Sequence, residues 1–465
     1  MIHRVCWFAA CLVAFAGLVA GCRCQGAGPG EPVPPNVLLV TIDTLRPDHL
    51  GCYGYGRPTS PTIDRLAAEG VLFENAIADA SWTVPSIAAI LTGRHAPGLG
   101  VLHVDSVLSP EATTAARLFG KAGYDTAAFT SGAYFGERHG WGNGFGTYRE
   151  IPAGDRAAAV NGAAIPWLEK KRERPFFLWV HLFDPHSPYD PPAEFGGRFT
   201  AEKIDHRLGE HMFLARVCNG NETLAPGQLE QIQTLYDQEI AYADDQLGRL
   251  VAAARAAGGD RRTVIAVGSD HGEAFMEHGL LLHLITLYDE MIRVPLILHD
   301  PERLPRGARI ASQVRNVDIA PTLLELAGLS APTGIDGRSL LPLVRGEERG
   351  DRVAYVHTDA LSHLEFYEKH LPNAQVKRFE VLAARRTRRE KVIFSLIPGR
   401  RESYDLAADQ GEQRDLQASD AGRFEAGHAD LQRWLAESRA SAPAGKRVSL
   451  TPDDLARLRE LGYLR

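Results

Sequence analysis

The sequence predicts an α/β fold: a large, mainly parallel sheet flanked by helices, followed by a smaller C-terminal α+β subdomain. Residues 36–43, 176–182, 263–268 and 294–298 are short, nearly continuous apolar runs, as suits strands buried on both faces of a parallel sheet. Helical patterns alternate with these runs, the longest an amphipathic stretch over 228–257, and that alternation marks βαβ units. Asp43 closes the first run, and His186, Asp270 and His271 stand just past the carboxyl ends of others, where ligands sit in open sheets of this kind.

Ahead of the fold, Arg4 opens a weakly basic start, residues 5–20 are apolar, and Leu18-Val19-Ala20-Gly21-Cys22 follows. Small residues closing such a run mark signal-peptide cleavage, and the run is short for a membrane span. A Cys directly after Ala-Gly resembles a bacterial lipobox, which makes 1–21 a lipoprotein signal peptide and Cys22 the lipid anchor. Residues 22–35 are a Gly/Pro-rich tether. The expectation is an exported protein of the bacterial cell envelope, anchored to a membrane and periplasmic or at the cell surface. A net charge of −7 over 465 residues argues against a general nucleic-acid binder. Cys24, Cys52 and Cys218, left once the signal is removed and Cys22 acylated, are too few for a disulfide framework.

Taken in order, 61–68 reads as a helix, 113–121 as a helix leading into a strand over 125–130, and 157–171 as a helix after a glycine-rich loop. Past Asp300 comes a helix over 318–326, then a loop-rich stretch to Gly346. Residues 353–405 alternate short strands with basic turns, and Arg385-Arg386-Thr387-Arg388-Arg389 is expected to be a solvated turn. Helical segments follow at 429–438 and 452–461. The division is an α/β domain over 36–346, a C-terminal subdomain over 347–420 and a helical tail over 421–465.

Within 81–94, Pro85 suits a first helical position and Gly93 the left-handed residue past the helix end. That leaves the Thr83 hydroxyl beside free backbone N–H groups and the positive end of the helix dipole, which favours an oxyanion there. Asp43, Thr83, Asp270 and His271 supply hard oxygen and nitrogen donors suited to one divalent ion, Ca²⁺, Mg²⁺, Mn²⁺ or Zn²⁺. Such an ion would lower the hydroxyl's pKa and polarise a tetrahedral anion.

The segments 35–51 (PNVLLVTIDTLRPDHLG), 85–94 (PSIAAILTGR), 183–189 (FDPHSPY), 269–273 (SDHGE), 287–297 (LYDEMIRVPLI) and 404–415 (YDLAADQGEQRD) together resemble the sulfatase family of the alkaline-phosphatase superfamily, across roughly residues 35–410. The resemblance implies an alkaline phosphatase-like sheet, with 36–346 as the catalytic domain. It implies that Asp43, Asp270 and His271 hold the metal and that Thr83 stands at the nucleophile position. It implies that His186 contacts the substrate or protonates the leaving group, and that His283, with His278 as competitor, lies beside the substrate's sulfuryl or phosphoryl oxygens.

The departures from that family pattern are informative. Thr83 cannot become formylglycine, so none is expected; Ile87 replaces the guiding Arg, Thr44 the second Asp, and Thr130-Ser131-Gly132-Ala133 the Gly-Lys-x-His segment. Superfamily relatives with an unmodified Thr are phosphodiesterases and phosphoalcohol transferases. The sequence therefore predicts an exported metal-dependent hydrolase of sulfate or phosphate esters, with Thr83 as nucleophile and a sulfated or phosphorylated small molecule, glycan or lipid as substrate. A phosphoalcohol transferase, or a catalytically impaired glycan-binding lipoprotein, is the alternative.

Overall fold

In the computed structural model, which describes residues 33–451 apart from 133, 153–155, 361–379, 397–398, 444–445 and 449–450, the central sheet has eight strands. In chain order they are β1 (Asn36–Ile42), β2 (Val71–Ile77), β3 (Asp125–Ser131), β4 (Thr147–Ile151), β5 (Phe176–Leu182), β6 (Thr263–Ser269), β7 (Arg293–His299) and β8 (Ala308–Arg315). Their spatial order is β8-β2-β7-β6-β1-β5-β3-β4. Every neighbouring pair is parallel except the two that β7 makes, with β2 and β6. The apolar runs identified in the sequence are the centre of this sheet. All residues of β1, β5 and β6 are buried, which is why they carry no polar alternation.

Three strands were not evident from the sequence pattern. β2 is interrupted by half-buried Glu74 and Asn75, while β4 and β8 lie at the sheet edges, where alternating exposure dilutes the apolar signal. The helix α1 spans Thr83–Thr92 and so begins two residues before Pro85, with Trp82 as its N-cap. Pro85 is tolerated there because the first-turn N–H groups have no intrahelical partner. Gly93 ends the helix in the left-handed region at φ 68°, as expected. The long helix α2, Gln228–Gly258, packs beside the helix Ala157–Leu168.

The C-terminal strands β9 (Ala354–Asp359), β10 (Val381–Arg386), β11 (Glu390–Ser395) and β12 (Arg401–Asp405) form an antiparallel sheet in that order. Helix α3, Ala421–Ala440, covers it, burying Phe424, Leu431 and Leu435 against Val392 and Phe394. The basic run is not a solvated turn throughout. Arg385 and Arg386 belong to β10, where Arg386 is buried and pairs with Asp289, and Arg385 with Asp430 and Glu390. Lys391, wholly buried on β11, lies 2.6 Å from both Asp289 and Glu412. These ion pairs tie the C-terminal sheet to the segment that enters β7.

Among the described residues no helix is long and apolar enough to cross a membrane. Cys52 and Cys218 are free thiols. The signal segment, Cys22, Cys24 and the tail helix expected at 452–461 lie outside the described residues.

Candidate active site

Five segments meet at one edge of the sheet. β1 delivers Asp43, whose backbone N–H bonds to Leu182 O at the end of β5. The chain then turns sharply through Thr44 at φ 53°, a conformation uncommon for a β-branched residue, and Tyr236 on α2 donates to Thr44 O at 2.7 Å. β6 delivers Asp270 and His271. The next residue must be glycine: a Cβ at Gly272 would stand 2.1 Å from Glu290 O. Thr83 opens α1, and Ser86 Oγ braces the approach by bonding both Ala80 N and Ala80 O, at 3.1 and 3.0 Å.

Asp43, Asp270 and His271 are buried, and one donor atom from each lies within 4.8 Å of the others. Thr83 Oγ1 is 3.3 Å from His271 Nε2 and 3.5 Å from Asp43 Oδ2. The hydrogen bonds around this group prescribe its protonation. His271 Nδ1 sits 2.9 Å from Gly272 O, which can only accept, so Nδ1 carries the hydrogen, and when the ring is neutral Nε2 turns a lone pair inward. That lone pair faces Asp43 Oδ1 at 3.3 Å and Asp270 Oδ2 at 3.5 Å. Asp43 Oδ1 and both Asp270 carboxylate oxygens are buried without a hydrogen bond. Lone pairs facing one another in a dry site repel unless a cation or a proton lies between them. The donor set thus fits a divalent ion.

The charges show the same tension. Burial and the neighbouring Asp43 push the Asp270 carboxyl up to about 6. Asp43 also feels burial, yet His181, His186 and His271 hold it well below the usual carboxylate range. His181 was not apparent in the sequence, where it is one polar residue inside the apolar run of β5. Trp179 Nε1 donates to Thr41 Oγ1 at 3.0 Å, Thr41 Oγ1 lies 2.8 Å from His181 Nδ1, and His181 Nε2 is 3.4 Å from Asp43 Oδ2. A chain of donors from Trp179 through Thr41 and His181 therefore orients Asp43 and leaves its other oxygen toward His271.

The two further histidines expected at the site are both there. His186, stacked on Phe183 at 4.3 Å, gives its Nδ1 hydrogen to Ser187 O at 2.6 Å. His283 lies 4.9 Å from His186 and 4.5 Å from His271, ring centre to ring centre. Burial lowers both, His186 to about 4 and His283 to about 3. His278 does not compete. It bonds Glu290 at 2.7 Å and Glu412 O at 3.1 Å and stacks on Tyr288. His211, 2.9 Å from Ser187 Oγ, and Glu273, 3.1 Å from His283, also belong to the surroundings of the site. The sequence marked Glu273 only as the end of a motif and His211 not at all.

Residues 35–329 match the family model described as Sulfatase, and residues 277–440 match that of N-sulphoglucosamine sulphohydrolase, C-terminal. The chain belongs to the sulfatase family and is a hydrolase of that family. It is 24% identical over 455 residues to an arylsulfatase of Clostridium perfringens, covering 82% of this chain and 90% of that one. Two solved structures share the fold. One, solved with its substrate D-glucosamine-2-N,6-O-disulfate, has a TM-score of 0.72 at 21% identity, over 88% of this chain and 98% of its own. The other, a phosphonate monoester hydrolase of Agrobacterium radiobacter, has a TM-score of 0.70 at 23% identity, over 90% and 98%.

Proposed function

We propose that this chain cleaves sulfate or phosphate esters with the unmodified Thr83 hydroxyl as nucleophile. The observation that carries the reading is the position of Thr83 Oγ1, within 3.5 Å of both Asp43 and His271 at the first turn of α1. Asp43, Asp270 and His271 would hold one divalent ion with Thr83 beside it, and such an ion lowers the pKa of a neighbouring hydroxyl and offsets charge on a tetrahedral anion. Thr83 Oγ forms the new bond to phosphorus or sulfur while the ester oxygen leaves with its electron pair. His186 and His283, whose Nδ1 hydrogens are committed to Ser187 O and Glu273, turn acceptor Nε2 atoms to the reacting group; the proton of the Thr83 hydroxyl passes to such an Nε2 as Oγ attacks and from there to the leaving alkoxide.

Formylglycine sulfatases release sulfate by elimination from an aldehyde hydrate, a route closed to a threonine. That favours phosphorus esters, with sulfate esters retained by family. The relatives named for sulfated sugars and aryl sulfates support a sulfated or phosphorylated small molecule, glycan or lipid as substrate. Residues 1–22 support export and a lipid anchor at Cys22 in a bacterial envelope.

The test is a panel of aryl sulfate, aryl phosphate, aryl phosphodiester and phosphonate monoester substrates, with and without added divalent metal, beside Thr83→Ala. Metal-dependent turnover of at least one ester, lost by at least about a thousandfold in the variant, is expected. Unchanged turnover in Thr83→Ala refutes the nucleophile. The absence of metal-dependent turnover on every ester favours the catalytically impaired, glycan-binding alternative.

A further inference from the structure

His283 is held in a way that a residue merely packed beside the site would not require. It follows a hairpin whose two short strands, Ala274–Phe275 and Leu281–Leu282, pair Phe275 with Leu281 and Ala274 with Leu282. One step further along this antiparallel register stands Glu273 opposite His283. The residues on either side of His283, Leu282 and Leu284, both have left-handed backbones, at φ 66° and 87°. Non-glycine residues adopt that conformation only where surrounding structure enforces it. Leu284 is clamped: its N–H bonds Ser81 O at 3.0 Å, and its carbonyl accepts from Ser81 Oγ at 3.1 Å and Thr358 Oγ1 at 2.9 Å. His283 is thus strung between the Asp270-His271 segment and the segment that leads into Thr83.

Glu273 is fixed with equal care. Its backbone N–H bonds Glu290 O at 3.0 Å and its carbonyl accepts from Arg46 at 2.9 Å. Its fully buried carboxylate accepts the Tyr189 hydroxyl on Oε2 at 2.9 Å and faces His283 Nδ1 with Oε1 at 3.1 Å.

We propose that Glu273 is a positioning residue: by accepting from His283 Nδ1 it fixes the tautomer in which Nε2 is an acceptor, and so makes His283 the base that activates water against the Thr83 ester. This rests on Thr83 as nucleophile. A threonine ester cannot discharge by elimination, so a water must be deprotonated close by. The water gives a proton to His283 Nε2 and its oxygen bonds to phosphorus or sulfur. The bond to Thr83 Oγ breaks with its electron pair on that oxygen, which takes the proton back from His283. Both side chains are restored.

The decisive variant is Glu273→Gln. With Tyr189 still donating to the amide oxygen, the amide N–H₂ faces His283 Nδ1 and forces the hydrogen onto Nε2. Histidine ¹⁵N spectra of the metal-free protein, assigned with His283→Ala, should show Nδ1–H for His283 in the wild type and Nε2–H in Glu273→Gln. In turnover, kcat should fall by about 10²–10⁴-fold with KM changed far less, and the Thr83 ester should accumulate in acid-quenched samples examined by mass spectrometry. Adding Glu273→Gln to His283→Ala should cost nothing more. A wild-type His283 carrying its hydrogen on Nε2, or losses that multiply in the double variant, would overturn the proposal. Should Glu273→Gln not fold, Glu273→Asp serves: retained Nδ1–H with partial activity supports the proposal, and Nε2–H with full activity defeats it. The spectra need neither metal nor turnover, so they stand even if Thr83→Ala proves active.

Discussion

Replacing Asp270 by Asn should stabilise the metal-free protein and destabilise the metal-loaded one, and the crossing of the two effects is the sharpest check on the donor set. Two carboxylate charges with donor oxygens within 4.8 Å of each other, at an effective dielectric of about 20, repel by at least roughly 3 kcal/mol. The Asp270 carboxyl, pushed from 3.8 to about 6 by burial first and by Asp43 second, costs the fold about 3 kcal/mol when ionised at pH 8, and the amide removes both causes. The folded value lies above the unfolded one, so the cost is present above about pH 6 and vanishes as the pH falls toward 4. A chain of this size unfolds with an entropy of roughly 0.9 kcal/mol/K, so Asp270→Asn should raise Tm by about 3 °C in chelator at pH 8 and by almost nothing at pH 4. A divalent ion at a hundred times its Kd should add about 2.7 kcal/mol to the wild type, again about 3 °C, and little to the variant. Differential scanning fluorimetry with Ca²⁺, Mg²⁺, Mn²⁺ and Zn²⁺ in turn reads both effects. An Asp270→Asn protein no more stable than wild type in chelator, or one that gains as much as wild type from the same ion, would refute the reasoning.

Other perturbations have equally definite outcomes. His186→Ala should slow kcat by about 10²–10⁴-fold on an ester with an alkyl leaving group and far less on a nitrophenyl ester, whose leaving oxygen needs no proton; equal losses on both would deny His186 that task. The thermal gain from metal should shrink as the pH falls below about 6, because Asp270 must lose a proton and His271, raised by Asp270 and Asp43 against the effect of burial, must stay neutral to ligate. A gain that is flat from pH 8 to 5 would place the ion elsewhere. Lys391→Ala should destabilise the protein by about 3–5 kcal/mol, since it leaves buried Glu412 without its ammonium and half-buried Asp289 with Arg386 alone; a chemical-denaturation midpoint that does not move would show those charges to be solvated.

How much of this was legible in the sequence depends on whether a residue's role is local or arises from register. Asp43, His186, Asp270 and His271 were visible because each terminates a run that is apolar for a reason, burial on both faces at the centre of the sheet. Thr83 was visible because Gly93 signals a helix end ten residues on, although the helix starts earlier than Pro85 implied. His181 was hidden by its own strand. Inside Phe176–Leu182 a single histidine looks like core, and only the pairing of Thr41 with His181 across β1 and β5 turns it toward Asp43. Glu273 was hidden by its distance from His283 in sequence, which the hairpin closes. The buried half of the basic run was missed because its counter-charges, Asp289 and Asp430, come from separate elements.

The one reversed strand explains why the site has more than strand ends to draw on. In a wholly parallel sheet, the residues entering each strand lie at the edge opposite the ligand. β7 runs against β2 and β6, with Arg293 beside Ile77 at the carboxyl end of β2. The segment entering β7 therefore arrives at the edge where β1, β5 and β6 finish, and it carries the hairpin with Glu273 and His283 in with it. It also carries Asp289, the residue onto which Arg386 and Lys391 of the C-terminal sheet close. That sheet thus braces the very segment that presents His283. Changes on β10 or β11 should accordingly be felt at the site through the clamp on Leu284, to which β9 contributes Thr358, rather than through any contact with the metal donors.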